Sequence, residues 1–444
     1  MSRLASVLFW SVIAAAFIGP GTVTTAAAAG AAHGTALLWA LAFSTVATVV
    51  LQEAAARLTV VSGKDLGQAI RDRSAGTPAG PLVLLLVLGA IVLGNAAYEA
   101  GNILGGGAGV LLGLDLPGWG VTLAIGALAA GLLWTGTPKR VALLLALTVA
   151  VMGVAFLAAA FLLSPDPAAL AVGALVPRLP AGAELLVLGL VGTTVVPYNL
   201  FLGSGIAAGQ SVGELRFGIS LSVILGGAIS MAVLVVGTAV AGEFSFELLA
   251  AALEETIGGG STWLLALGLF AAGFSSAVTA PLAAAVTARS LFGDQAGRWD
   301  ARGWRYRSVW CGVLGAGLAF GLSGVRPIPV IILAQALNGV LLPFAAVFLL
   351  LAVNDRGLMG EQRLNGWLAN SLSGVVVGVA VVLGSASVVR AGFAALGARP
   401  PDGWLVLALS LAVAAVIALP VGRAVARGRR GARPLARSGA QDTL

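Results

Sequence analysis

The sequence predicts an all-α polytopic membrane protein whose two halves lie inverted relative to one another. Three observations carry this. Apolar runs of about 20 residues, the length needed to cross a bilayer, recur along the whole chain. The composition is 59% hydrophobic and only 10% charged, whereas a soluble domain carries roughly a quarter charged residues. Two of the runs are also broken at their middle by a proline beside small or polar residues. One reads Phe17-Ile18-Gly19-Pro20-Gly21-Thr22-Val23-Thr24-Thr25 and the other Gly192-Thr193-Thr194-Val195-Val196-Pro197-Tyr198-Asn199.

Twelve spans follow from the apolar runs: 6–32, 35–56, 82–112, 118–136, 141–163, 184–209, 217–241, 262–291, 306–323, 328–352, 367–389 and 403–422. The first, third, sixth and eighth are long enough to be tilted or broken. Interrupted spans in corresponding places of two halves mark the binding site of a secondary transporter. The division is therefore a first repeat over 1–180, broken at Gly19–Gly21, and a second over 181–355, broken at Pro197. Accessory spans cover 356–422 and a basic tail covers 423–444. Five spans per repeat is an odd number, which sets the repeats upside down to each other. The 62 glycines suit helix packing in lipid, where small residues let backbones approach.

Basic residues set the orientation. With the N-terminus in the cytoplasm, all 25 lysines and arginines fall inside except Arg178, Arg326, Arg390 and Arg399, a strong positive-inside bias. Both termini are then cytoplasmic, in an inner or plasma membrane, and the bilayer is the obligatory partner. The same bias explains the net charge of +7, so no nucleic-acid partner is inferred. Arg3 and the apolar run to Ile18 also have the form of a secretory signal. The match of Gly19-Pro20-Gly21 to the break at Pro197 assigns them to the first span instead. The acidic connector Gly242–Gly260 reads as a solvated amphipathic helix.

Chemistry is sparse. A lone Cys311 excludes an internal disulfide, and a single histidine, His33, cannot build a histidine metal site. No nucleophile–base pairing is recognisable, so the chain is not read as an enzyme, and nothing calls for a cofactor. Two carboxylates lie inside spans, where an ionisable group costs at least ~2.5–3.5 kcal/mol and is functional by default. Glu99 sits mid-way along the third span with Asn95 and Asn102 at i−4 and i+3 on one helix face, a candidate path for protons or cations. Glu53 stands four residues before Arg57, the spacing of a helical ion pair. The candidate substrate site comprises Gly19, Thr22, Thr193, Val196, Tyr198 and Asn199 at the breaks, with Gln335 and Asn338 one turn apart in span ten. Pro20, Gly21 and Pro197 are the expected hinges.

These residues also resemble a known family, the natural-resistance-associated macrophage proteins (Nramp). The likeness rests on Pro20-Gly21, on Gln52-Glu53-Ala54-Ala55-Ala56-Arg57-Leu58 followed by Gly63-Lys64-Asp65-Leu66, and on Pro197 with Asn199-Leu200. Gln335, Leu342-Pro343-Phe344 and the loop Asn354-Asp355-Arg356-Gly357-Leu358-Met359-Gly360-Glu361 extend it in collinear order over roughly residues 10–362. The resemblance implies the leucine-transporter fold, alternating access and, as in most members, proton-linked uptake of divalent transition metals. Glu99 stands at the position of the family's third-span glutamate, associated with proton transfer. The departures fall on the metal site. The family's Asp-Pro-Gly-Asn reads Gly19-Pro20-Gly21-Thr22 here, and its Met-Pro-His reads Val196-Pro197-Tyr198. Gly203 takes the place of a second histidine. Divalent cations favour carboxylate oxygen, and thioether selects the softer ones; both are missing, which leaves a small polar or cationic organic solute as the alternative to a metal. A membrane sensor that transports nothing is the reading from another class.

Overall fold

A computed structural model describes residues 18–135, 139–293, 297–395 and 403–430. The predicted first span before Ile18 and the tail beyond Arg430 lie outside the described residues. Among those described, the regular structure is helical throughout.

Each predicted span falls on helix in its described part. The first half comprises α1 (Pro20–His33), α2 (Leu38–Ser62), the short α3 (Leu66–Ser74), α4 (Gly80–Gly113), α5 (Gly118–Thr135), α6 (Lys139–Leu162) and the short α7 (Pro167–Leu175). The next part comprises α8 (Glu184–Thr194), α9 (Pro197–Ile206), α10 (Val212–Gly237), α11 (Phe246–Ile257), α12 (Ser261–Phe292), α13 (Trp304–Leu322) and α14 (Pro327–Ala352). After the single turn α15 (Arg356–Met359), α16 (Trp367–Ala395) and α17 (Gly403–Arg430) complete it. By length and hydropathy ten stretches are apolar enough to cross a membrane, with Pro20–Ser62 counted as one. A turn at Gly34, whose φ of 56° suits glycine, divides that stretch into two. α13 is absent from the ten because Arg305 and Arg307 occupy its first turns.

Two connectors carry more structure than their polarity suggests. α2 runs on to Ser62 and ends at Gly63, a left-handed cap with φ 71°. Asp65 then starts α3 by a reciprocal capping box: its carboxylate accepts from Gln68 N at 2.9 Å while Gln68 Oε1 accepts from Asp65 N at 3.0 Å. The Gly63-Lys64-Asp65-Leu66 motif is thus a helix stop followed by a helix start. The acidic connector forms α11, which buries Phe246, Leu249 and Leu253 and leaves Glu247, Glu254 and Glu255 exposed.

Small residues bring the spans together. α4 and α12 meet glycine to glycine, such that a Cβ at Gly273 would stand 2.6 Å from Gly106 Cα. A Cβ at Gly192 of α8 would run into the carbonyl of Gln335 on α14, and one at Gly30 of α1 into that of Leu234 on α10. Without a hydrophobic force between helices in lipid, such close packing supplies much of the attraction. It also gathers α1, α4, α8, α9, α12 and α14 around one buried centre.

Candidate functional site: two broken helices and their polar lining

Proline opens a helix at each of the two predicted breaks. Proline lacks the N–H that a helix interior needs and clashes with the preceding turn, but its fixed φ suits a first helical position. Pro20 and Pro197 each open a helix at that position, after Gly19 (φ −110°, ψ −176°) and Val196 (φ −80°, ψ 121°), both extended. α8 ends at Thr194, so Val195 and Val196 form the unwound link to α9. The carbonyl end of α8 and the N–H end of α9 therefore meet at one point and offer partial charges of both signs.

The two breaks touch. Thr22 Oγ1 lies 2.8 Å from Thr193 Oγ1, and both threonines are fully buried. Thr48 of α2 steadies the second break by donating to the Thr194 carbonyl at 3.2 Å. Around this contact, Gln335 packs its amide directly over Gly21, where a Cβ would collide with it. A side chain at that position would require the end of Gln335 to move aside. Gly19 faces Tyr98 and Ser276: a Cβ there would stand 3.5 Å from both hydroxyl oxygens. Tyr98 meets Tyr198 edge to face, with ring centroids 5.6 Å apart, and both cluster with Ile18 and Val196. Asn338 approaches Gly94 on α4. Gly19, Thr22, Thr193, Val196, Tyr198 and Gln335 thus converge through direct neighbours, while Asn338, one turn beyond Gln335, faces α4. Asn199 is buried in the first turn of α9, with both side-chain polar atoms unpartnered among the described residues.

Asn199 is one of several such groups. Thr24, Thr25, Gln52, Ser276, Gln335 and Asn338 each hold a buried side-chain atom without a hydrogen-bond partner among the described residues. Buried polar atoms are nearly always satisfied in native proteins, and an unmade bond costs about 1–3 kcal/mol. All of them except Gln52 of α2 lie on the helices gathered at this centre.

Glu99 stands beside this centre and faces elsewhere. It is fully buried, and Asn102 Nδ2 donates to its Oε2 at 3.3 Å while Oε1 has no partner among the described residues. Its side chain lies against α13, where a Cβ at Gly317 would come within 2.5 Å of Glu99 Cγ. Asn95 turns its amide back to the Ile91 carbonyl at 2.9 Å, so the predicted three-residue polar face divides into an Asn102–Glu99 pair and a separate Asn95. Sequence reasoning missed Tyr98 and Ser276 as site neighbours; neither spacing nor charge distinguishes them from ordinary span residues. Among the described residues no group of three or more His, Cys, Asp or Glu gathers that could hold a metal ion. The donors on offer are hydroxyls, amides and backbone carbonyls.

Comparison with known proteins places this geometry. A divalent metal cation transporter, MntH, of Granulibacter bethesdensis is 26% identical over 396 residues, covering 83% of this chain and 85% of that protein. MntH of Yersinia pestis is 27% identical over 373 residues, covering 79% and 86%. Among solved structures, a manganese transporter of Eremococcus coleocola superposes with a TM-score of 0.68 at 21% identity, covering 94% of this chain and 92% of that one. The nucleobase-cation-symport transporter Mhp1, solved in a closed conformation, gives 0.52 at 16% identity. These similarities bear out the leucine-transporter fold. The model of the family described as natural resistance-associated macrophage protein-like matches residues 11–390, and the chain belongs to that family.

Proposed function

We propose that this protein is a secondary active transporter that moves a cation by alternating access around the contact between its two broken helices. The observation that carries the reading is the Thr22–Thr193 hydroxyl contact at 2.8 Å, which joins two half-helix ends amid unpartnered buried polar groups. Irregular backbone at membrane depth is tolerated where it lines a cavity or lies inside protein, and here it lies inside. In this reading residues 1–180 and 181–355 are the inverted repeats and Pro20, Gly21 and Pro197 the hinges. The basic residues put both termini in the cytoplasm of an inner or plasma membrane. Glu99, one residue from Tyr98 and held by Asn102, is the carrier of a coupled proton. The names of the relatives support a divalent metal as the cation.

One observation favours a second solute class. Gly19, Thr22 and Val196 leave the centre with neutral oxygen donors and no carboxylate, imidazole or thioether, a lining that suits a small polar or cationic organic solute. Purified protein in detergent, heated in the presence of divalent metals, amino acids and small organic cations, separates the two. A ligand of the native state raises the midpoint according to its affinity. Stabilisation by Mn²⁺ or another divalent ion alone supports the metal; stabilisation by an organic solute alone supports the alternative. No stabilisation by any class, with no uptake into liposomes, refutes a transporter.

A further inference from the structure

A second cavity, remote from the broken helices, opens where α2, α10 and α16 converge. Its volume is about 440 Å³, and Arg57, Arg216, Arg363, Glu53 and Asn365 line its charged end. Val49, Val50 and Leu372 line the rest together with small residues.

The order of these residues along the helices is the informative feature. On α2 the lining runs from Val49 and Val50 through Glu53 to Arg57, about 12 Å at 1.5 Å per residue. On α10, Arg216 stands near the first turn and Ser220 one turn further in. On α16, Gly366 precedes the helix, with Leu372 and Ser373 lying deeper. Glu53, Arg57 and Arg216 lie at the same end as the loop residues Arg363 and Asn365, while Val49, Val50, Ala369 and Leu372, with Ser220 and Ser373, lie toward the membrane interior. Trp367, which opens α16, is 80% exposed, the behaviour of an interfacial aromatic anchor. The cavity therefore spans from headgroup depth into acyl-chain depth.

Its charges are unevenly committed. Arg57 is buried and fully employed, giving Nε to Glu53 at 3.0 Å, Nη1 to the Arg363 carbonyl at 2.9 Å and Nη2 to Asn365 Oδ1 at 2.5 Å. Glu53 also accepts from Arg216 Nε at 2.8 Å. Arg216 is 59% exposed and makes no further ion pair among the described residues; Arg363 gives only its carbonyl, to Arg57. The Arg57 and Arg216 guanidinium groups thus share the Glu53 carboxylate, the Arg363 guanidinium makes no ion pair among the described residues, and Arg216 and Arg363 both line the cavity. Planar guanidinium forks match phosphate oxygens, and basic pockets between spans on the cytoplasmic side take anionic headgroups.

We propose that this cavity binds an anionic phospholipid of the inner leaflet, its phosphate held by Arg216 and Arg363 and one acyl chain laid along Val49, Val50 and Leu372. Arg57 is a positioning residue: it fixes Glu53 and the Arg363–Asn365 loop, and so sets the spacing of the two phosphate donors. The lipid ties α2 and α10 to the loop before α16 and acts at a site distinct from that of the transported solute.

The test titrates the purified full-length protein in detergent with phosphatidylglycerol or phosphatidylcholine, reading thermal stability and bound lipid by native mass spectrometry. Phosphatidylglycerol is expected to bind and stabilise while phosphatidylcholine does not. Arg216→Ala and Arg363→Ala should each weaken it about fivefold, the value of one basic contact near a membrane surface. Arg216→Lys, which keeps the charge and loses the planar fork, should fall between the unaltered protein and Arg216→Ala, and Arg423→Ala with Arg427→Ala, outside the cavity, should leave the affinity unchanged. Lipid-free stability and monodispersity of the variants confirm that they fold. Equal binding of the two lipids, or equal loss in the Arg423/Arg427 variant, would overturn the proposal. Arginine-dependent stabilisation by inorganic phosphate as strong as that by phosphatidylglycerol would overturn the lipid in favour of the free ion.

Discussion

Restoring a carboxylate at Gly19 is the most direct probe of why the centre has the lining it has. The backbone there is extended and suits any residue, and a Cβ would meet Tyr98 Oη and Ser276 Oγ at 3.5 Å, an ordinary contact distance. Gly19→Asp is thus sterically admissible and points an acid toward two hydroxyls, one of which, on Ser276, has no partner among the described residues. Burying an unpaired carboxylate costs several kcal/mol, and each hydrogen bond to the charged group returns roughly 1.5–3 kcal/mol. The variant alone should therefore be modestly destabilised, by about 1–3 kcal/mol. With Thr22→Asn and Val196→Met added, carboxylate, amide and thioether stand together at the breaks. If the present protein binds Mn²⁺ with a Kd of about 1 mM or weaker, 1 mM Mn²⁺ stabilises it by no more than ~0.4 kcal/mol; a triple variant reaching about 10 μM gains ~2.7 kcal/mol. Calorimetry together with thermal melts in detergent reads both numbers. Micromolar Mn²⁺ binding by the unaltered protein would refute the reasoning and mean that hydroxyls and carbonyls suffice. A triple variant that folds but gains no affinity would show that Tyr98 and Tyr198 have closed the metal's place.

Glu99→Gln keeps the shape and the bond from Asn102 while removing the proton site, so expression and monodispersity should persist and proton-gradient-driven uptake in liposomes should be lost; unchanged gradient dependence removes Glu99 from coupling. In a background lacking Cys311, which is exposed, cysteines at Thr22 and Thr193 should react with aqueous thiol reagents and be protected by added substrate. Inert cysteines under all conditions would deny a water-filled pathway at the breaks. Asn199→Leu replaces four unmade hydrogen-bonding valences by apolar volume, so the empty protein should melt higher, equivalent to about 1–3 kcal/mol, while uptake falls at least tenfold. A strongly destabilised Asn199→Leu protein would give that side chain a structural role instead.

Much of the fold was legible because the bilayer imposes long apolar runs and punishes unsatisfied backbone. Pro20 and Pro197 were readable as breaks for the same reason, and Glu53–Arg57 because i, i+4 spacing fixes adjacency on a helix; the pair forms at 3.0 Å. Tyr98 and Ser276 escaped notice because their role depends on which faces of α4 and α12 turn toward Gly19, and span residues that are apolar all round carry little facing signal. The direction of Glu99 was hidden likewise: its neighbour is Gly317, and a glycine announces no partner. Gly21 looked like a hinge on composition alone. The structure adds that the Gln335 amide occupies the space a side chain would need, a contact between residues more than three hundred positions apart.

The polar centre also bears on how such a protein could keep from leaking. Thr22, Thr193 and Asn199 are at most 1% exposed, so the donors and acceptors at the breaks are cut off from bulk water. A buried polar group left without a partner costs about 1–3 kcal/mol. A solute that supplies the missing bonds relieves that cost only when it sits between the half-helices. Differential affinity for one state is the sole means by which a ligand can shift a conformational equilibrium. In the transport proposed above, the unpartnered atoms of Asn199, Gln335 and Ser276 would make closing around a solute that bonds them easier than closing without it. Hydroxyls and amides do this without a fixed charge, and a cation held there must obtain its neutralising charge elsewhere. Glu99, the buried carboxylate on α4, adjoins Tyr98 in sequence but points toward α13, away from the contact between the breaks.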